Sequence, residues 1–302
     1  MRHFLDIDDL DAGSLEAVLD LADVAQPPPV LAGGGVALIF EKPSNRTRNA
    51  TEMAVVGLGG HPVVIRADEI GLGRREPVSD IVRVLAAYHR VVGARVFDHR
   101  TLEAMAAPDV VPVLNLLSDA SHPCQAIADL ITLRRHWGSL EGRRLAWIGD
   151  GNNVAASLAF ACALSGMGIG LACPPGHEIA PDVVDGVSAL GGTITVDTDP
   201  RRVVAGADAV ITDTWVSMGQ EAEEQARLDA FAGYQVDDRL MGLASPDAVF
   251  LHCLPAHRGQ EVTASVIDGP ASLVFAEAAN RLDAARAVLL WMLDTEPAGG
   301  RP

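Results

Sequence analysis

Short apolar runs recur along this chain, separated by stretches with helical spacing, and that alternation limits the possible folds more than any other feature. The runs are Val36–Phe40, Pro62–Ile65, Ala94–Phe97, Val111–Leu114, Leu145–Ile148, Ile169–Cys173, Thr193–Val196, Ala209–Thr212, Val249–His252 and Leu273–Phe275. Each is too short for a helix and reads as a buried strand. Strand, helix and strand in alternation predict an α/β protein, its parallel sheets covered on both faces. Ten such strands suit two doubly wound sheets better than one, and 302 residues is long for a single compact unit.

Leu15–Ala25 reads as a first helix, followed by a break at Pro27-Pro28-Pro29 and Gly33-Gly34-Gly35. A helical pattern covers His122–Trp137, and Glu141-Gly142-Arg143-Arg144 leads into a fresh strand. A first domain is therefore expected over 1–138 and a second from 139 to 276. Glu277–Leu293 reads as the last helix, and Glu296–Gly300 as a frayed tail. Val154–Cys173 is uncharged and about as long as a membrane span. Gly166, Gly168 and Gly170 interrupt it, so it divides into a buried helix, Val154–Ser165, and a buried strand. No membrane partner is expected.

The net charge of −17 argues against a nucleic-acid partner, which would need a basic stripe. An anionic ligand would have to be drawn in by a local arginine cluster against that field. Cys124, Cys162, Cys173 and Cys253 show no C-x-x-C spacing, so neither a zinc site nor a redox motif is indicated. Unpaired cysteines, and a start at Met1–Asp6 without an apolar leader, predict a cytoplasmic protein.

Ser44-Asn45-Arg46-Thr47-Arg48 lies between the strand Val36–Phe40 and a helical pattern at Asn49–Leu58. A strand, a loop and a helix N-terminus in that order present free backbone N–H groups to an anion. Ser44 and Thr47 add hydroxyl donors, and Arg46 and Arg48 add forked cations that match phosphate oxygens. The same residues also suit a plain helix cap with solvated arginines. Lys42, the only lysine in the chain, stands just before this loop.

Four other segments carry chemistry. Gly149-Asp150-Gly151-Asn152-Asn153 follows a strand and opens a helix. It fails the dinucleotide fingerprint because Val154 holds the third glycine position. His122 and Gln125 share one face at a helix start, where one can donate to an oxygen and the other accept from an amide; a capping cluster around Ser121 is the alternative. Asp213 ends a strand, where a carboxylate can hold an ammonium group or simply form a turn. Cys253 follows another strand end and is either a reactive thiol or a small buried hydrophobe.

Taken together, these segments resemble the aspartate/ornithine carbamoyltransferase family over essentially the whole chain. The matching pieces, in order, are the Ser-x-Arg-Thr-Arg loop, His122-Pro123-Cys124-Gln125, Gly149–Asn153, Asp213–Glu221, His252–Pro255 and Glu277–Arg281. The Asp-x-Trp-x-Ser-Met-Gly loop at Asp213–Gly219 resembles the ornithine-using branch. The resemblance implies two α/β domains joined by two interdomain helices and a homotrimer. It implies carbamoyl phosphate on the first domain, completed by the C-terminal helix 277–302, and L-ornithine on the second. It implies no metal or organic cofactor.

Carried over by position, Ser44, Asn45, Arg46, Thr47 and Arg95 would hold the phosphate. Arg95, Thr47 and His122 would face the carbonyl oxygen. Gln125 and the backbone of Leu254 would orient the carbamoyl amide, and Arg281 would approach from the last helix. Asn153, Asp213, Ser217 and Met218 would hold the amino-acid end of ornithine, with Asp213 and Cys253 near its δ-amino group. Two positions depart from the pattern: Asn45 stands where Thr or Met is usual, and Gly71 replaces a polar residue that in the family reaches a neighbouring subunit's carbamoyl phosphate. Weaker carbamoyl phosphate binding is expected in consequence. Another amine acceptor, or a non-catalytic paralogue, are the competing readings.

Overall fold

Nine parallel strands among the described residues form two separate sheets. The computed structural model describes residues 1–73, 75–216 and 221–293. In the first sheet β1 (Gly35–Phe40), β2 (His61–Arg66), β3 (His89–Arg95) and β4 (Val113–Leu117) run in the order β2-β1-β3-β4. In the second, β5 (Arg144–Ile148), β6 (Gly168–Ala172), β7 (Thr193–Asp197), β8 (Ala209–Thr212) and β9 (Val249–His252) run in the order β7-β6-β5-β8-β9. The chain divides into two compact units, one of 1–131 with 280–302 and the other of 132–279. It passes from one to the other within the helix Pro123–Trp137 and returns within the helix Val274–Met292.

The apolar runs become strands because helices cover both faces of each sheet. The four central residues of β1 are all buried, as are all four of β8 and of β9. Ala37, Ile39, Val92, Ala94 and Val113 pack with Leu102 and Met105 in the core of the first unit. No helix among the described residues is long and apolar enough to cross a membrane. Val154–Cys173 resolves into the helix Asn153–Leu164, the stop at Gly166 with φ +72°, and β6.

Strand order fixes where ligands can bind. In the first sheet the order reverses between β1 and β3, and in the second between β5 and β8. Loops leaving neighbouring strands at such a point diverge to opposite faces and open a crevice at the strand C-termini. The segments leaving β1 and β3 begin at Glu41 and Val96, and those leaving β5 and β8 at Gly149 and Asp213. Those after β1, β5 and β8 hold polar segments singled out in the sequence.

Three expectations need correction. Leu273–Phe275 is not a strand: Ser272 makes a single bridge to Phe250, and Leu273 N–H donates to the Phe250 carbonyl at 2.9 Å. The helix then starts at Val274, because Ala276, Glu277, Ala278 and Ala279 are strong helix formers. Asn45–Arg48 is not a loop but the first turn of the helix Asn45–Gly57. The helix read from His122 begins at Pro123, whose missing N–H and fixed φ suit a first turn. The expected tail at Glu296–Gly300 lies outside the described residues.

The N-terminal segment is tied to β4. Phe4 N–H donates to the Val113 carbonyl at 2.9 Å, and Asn115 N–H donates to Phe4 at 2.8 Å. In the second unit Gly151 lies against backbone: a Cβ there would stand 2.2 Å from Ile179 N and 2.4 Å from the Glu178 carbonyl carbon. Backbone cannot swing aside, so Gly151→Ala is expected to cost about 1–3 kcal/mol. The drop should appear as a melting temperature lowered by several degrees. Gly57→Ala, with no neighbour within 4 Å of the new carbon, should leave the melt unchanged or slightly raised.

Candidate active site

In the first unit, a guanidinium from the last helix joins two distant segments. Arg281 Nη1 donates to Gln125 Oε1 at 2.5 Å and Nη2 to Thr47 Oγ1 at 2.7 Å. All three side chains are buried. Gln125 Nε2 in turn donates to Asp129 Oδ1 at 2.8 Å. Both ends of the Gln125 amide are thereby fixed: its oxygen faces the arginine and its nitrogen the carboxylate.

Arg95 ends β3 and is buried. His122 is buried beside it. Burial holds the His122 imidazole well below its usual range, and the positive fields of Arg281 and Arg95 push it further the same way. At neutral pH it is therefore a neutral ring with one N–H to donate. Thr47 is buried in the first helical turn, while Arg46 is half-buried and Asn45 exposed. Ser44 occupies the N-cap position but makes no capping hydrogen bond with its side chain. Lys42 lies with its Nζ 4.2 Å from the Phe97 ring centre, and burial, then Arg95, lowers its pKa. Cations from three distant stretches thus gather at the switch point of a chain whose net charge is −17.

Gly71 closes the short helix Ala67–Ile70 with φ +62°, in the left-handed region. A Cβ there would come within 2.6 Å of the Arg75 side chain. A glutamine at this position carries about 1–2 kcal/mol of backbone strain, so the departure from the family pattern has a local conformational basis.

In the second unit Asp213 is the centre. Its Oδ1 accepts from Thr214 N–H at 2.7 Å and from Cys253 Sγ at 3.0 Å, and its Oδ2 accepts from Asn152 Nδ2 at 3.0 Å. Asn152 also caps the helix Asn153–Leu164 through Oδ1, which accepts from Val154 and Ala155 N–H. The sequence singled out Asn153 here; its neighbour makes the contact with Asp213. Ser217 and Met218 lie outside the described residues.

Two buried networks hold these loops, and neither was legible in the sequence. Asp150, in the loop after β5, pairs with Arg227, whose Nε donates to the Trp215 carbonyl at 2.5 Å. Arg227 thus ties the loop after β5 to the loop after β8. His252 forms the other network: its Nδ1 accepts from Leu254 N–H at 2.9 Å, which leaves Nε2 as the donor to Glu261 Oε1 at 3.2 Å. Leu254 has φ +57°, and its peptide bond to Pro255 is cis. Asp213, His252 and Cys253 each offer a ligand atom within 4.8 Å of the others. Both ring nitrogens of His252 are already hydrogen-bonded, so a metal would have to displace the partner of the nitrogen it took.

Of the residues named from the sequence, the first unit contains Ser44, Asn45, Arg46, Thr47, Arg95, His122, Gln125 and Arg281, and the second contains Asn153, Asp213, Cys253 and Leu254. Direct bonds join Thr47, Gln125 and Arg281 in one unit and Asp213 with Cys253 in the other. Cys124, also in the matched segments, is a buried thiol whose pKa is raised to about 12 by burial, which makes it inert.

Known proteins match this chain over both units. The carbamoyl-P binding domain of aspartate/ornithine carbamoyltransferase matches residues 2–135, and the Asp/Orn binding domain of the same family matches residues 141–292. The ornithine carbamoyltransferase of Acidothermus cellulolyticus is 49% identical over 310 aligned positions, covering 100% of this chain and 99% of that protein. The solved structure of ornithine carbamoyltransferase from Pyrococcus furiosus superposes with a TM-score of 0.91 at 42% identity, covering 96% of each chain. That of the Thermus thermophilus enzyme gives 0.89 at 42%, covering 97% of this chain and 99% of the other. The chain belongs to the aspartate/ornithine carbamoyltransferase family.

The state of His122 is directly measurable. Its depressed pKa means that the folded protein cannot take up a proton the unfolded chain binds near pH 6.5. This group therefore removes stability as pH falls through about 6.5. Nitrogen-detected NMR of the imidazole should show a neutral ring across pH 6–8, with no titration in that window.

Proposed function

We propose that this chain transfers the carbamoyl group of carbamoyl phosphate to the δ-amino group of L-ornithine, giving L-citrulline and phosphate, the ornithine carbamoyltransferase step of arginine biosynthesis. One observation carries this reading above the rest. Each sheet presents its chemistry at its switch point, cationic in the first unit and built on a carboxylate in the second.

The first unit, taken as 1–138 with 277–302, is assigned to carbamoyl phosphate. Ser44, Asn45, Arg46, Thr47 and Arg95 hold the phosphate. His122, neutral and donating, faces the carbonyl oxygen with Thr47 and Arg95. Gln125 and the Leu254 backbone orient the carbamoyl amide, and Arg281 supplies charge. The second unit, taken as 139–276, is assigned to ornithine. Asn153, Ser217 and Met218 hold the α-amino-acid end, while Asp213 and Cys253 lie near the reacting amine. A homotrimer in the cytoplasm is part of the same proposal.

The chemistry follows from these groups. The neutral δ-amine adds to the carbonyl carbon, the carbon–nitrogen bond forms, and the carbon–oxygen bond to phosphate breaks with its electron pair leaving on phosphate. The attacking nitrogen gives up one proton, which the departing phosphate takes, so that it leaves as hydrogen phosphate. Negative charge grows on the carbonyl oxygen and then on phosphate, so fixed donors aimed there provide most of the acceleration. An alkylammonium has a reference pKa of about 10.4, so only a small fraction of free amine is reactive at pH 7.

With carbamoyl phosphate as donor and ornithine, putrescine, N-acetylornithine, aspartate and oxamate as acceptors, ornithine should be carbamoylated fastest by a wide margin. Its kcat/KM should climb from neutral into alkaline pH. Preferred use of putrescine or N-acetylornithine would overturn the acceptor assignment. Cys253→Ala should raise the ornithine KM yet leave measurable turnover, because the thiol positions the amine. A carbamoylated Cys253, found by mass spectrometry after carbamoyl phosphate alone, would contradict that role.

A further inference from the structure

The segment that carries His122 is anchored from an unexpected place, the first turn of the chain. Ser121 is fully buried, and its Oγ donates to Asp6 Oδ1 at 2.8 Å across 115 residues of sequence. The same Asp6 oxygen accepts Ile7 N–H at 2.7 Å and caps the short turn Ile7–Asp9. The turn is itself fixed to β4, because Asn115 Nδ2 donates to the Leu5 carbonyl at 2.8 Å. On the other side, Ser121 N–H donates to Ser118 Oγ at 3.1 Å, and Ser118 Oγ meets His99 Nδ1 at 2.8 Å. Ser121 thus has its side chain held by Asp6 and its backbone by Ser118, immediately before His122.

We propose that Asp6 is a positioning residue for His122, acting through the Ser121 hydroxyl. The inference rests on the carbamoyl phosphate reading of the first unit and adds to it a residue outside every matched motif. A buried hydroxyl has one proton to donate, and an ionised carboxylate is the strongest acceptor available for it. Fixing that proton fixes the Ser121 rotamer, and with it the entry of the chain into the helix Pro123–Trp137. His122 then presents its N–H in one direction. Loss of the acceptor would leave a buried hydroxyl without its partner and free the segment to shift.

The ionisation of Asp6 makes the device testable by pH. Burial raises its pKa to about 6, opposed by the Ser121 and Ile7 hydrogen bonds. Asp8 raises it further and His99 lowers it, while Asp9 Oδ2, on the same turn, accepts Leu5 and Asp6 N–H. The charged acceptor is therefore present above pH 6 and lost below it.

The experiment compares Asp6→Ala, Asp6→Asn and the neighbouring control Asp8→Asn with the parent enzyme. Asp6→Ala should raise the carbamoyl phosphate KM and lower kcat several-fold each, leave the ornithine KM unchanged, and shift the His122 imidazole resonances. Asp6→Asn keeps a neutral acceptor and should restore most of the loss. The advantage of the parent over Asp6→Asn should be about threefold at pH 7.5 and vanish near pH 5. Taking the ratio cancels the ionisation of carbamoyl phosphate itself. Asp8→Asn should match the parent at pH 7.5, and its advantage over Asp6→Asn should persist to slightly lower pH, because Asp8 no longer raises the Asp6 pKa.

Asp6→Ala that melts lower but keeps kcat and both KM values within twofold would show a purely structural residue and overturn the proposal, as would a parent-to-Asn ratio that stays flat with pH. A parent enzyme with no carbamoyltransferase activity would count against the proposed reaction. The His122 resonances would still decide the role of Asp6: unshifted by Asp6→Ala, they would overturn it.

Discussion

The bridge from Arg281 to Gln125 and Thr47 is the interaction on which the first unit depends. It connects segments 156 and 234 residues away from Arg281. A buried guanidinium is costly to desolvate, and forked hydrogen bonds offset part of that cost. Burial first, and then this charge with that of Arg95, keeps His122 neutral. A cluster of this kind is poorly matched to a neutral ligand. It suits a dianion, whose charge is opposite to that of the arginines.

The second unit solves a different problem with the same strand-end geometry. Asp213 accepts three hydrogen bonds, from Thr214, Cys253 and Asn152. These fix both carboxylate oxygens and leave lone pairs for an ammonium group. The loops around it are held by the Asp150–Arg227 pair and by the buried His252–Glu261 pair. Breaking either would strand a charged or polar group in the interior, which is why such loops stay in one arrangement.

What the sequence made legible follows from what is local. Buried strands show as apolar runs, so nine of them were visible, and strand ends marked Asp213 and Cys253, whereas Arg95 was named only through the resemblance. Leu273–Phe275 misled because three apolar residues carry no period of their own, and the alanines and glutamate that follow decide for helix. Asn45–Arg48 read as a loop because polar residues suit both a loop and a first helical turn. Arg227, Glu261 and Asp6 carried no local signal, and Asn152 lay in a segment the sequence marked without its own role being readable. Arg227 meets Asp150 across 77 residues, and Asp6 meets Ser121 across 115. A lone charged residue reveals its partner only when the chain has folded. The roles of individual side chains came from resemblance, and those positions are the ones that need direct chemical tests.

Arg281 is proposed to organise an anion site for carbamoyl phosphate in the first unit. Calorimetric titration of fresh carbamoyl phosphate into the parent and into Arg281→Lys tests it most directly. Lysine keeps the charge but cannot reach Gln125 and Thr47 together. Binding should be weakened at least about tenfold in Arg281→Lys, the equivalent of about 1.4 kcal/mol, with a cooperative melt retained. Equal affinity in the two proteins would contradict it.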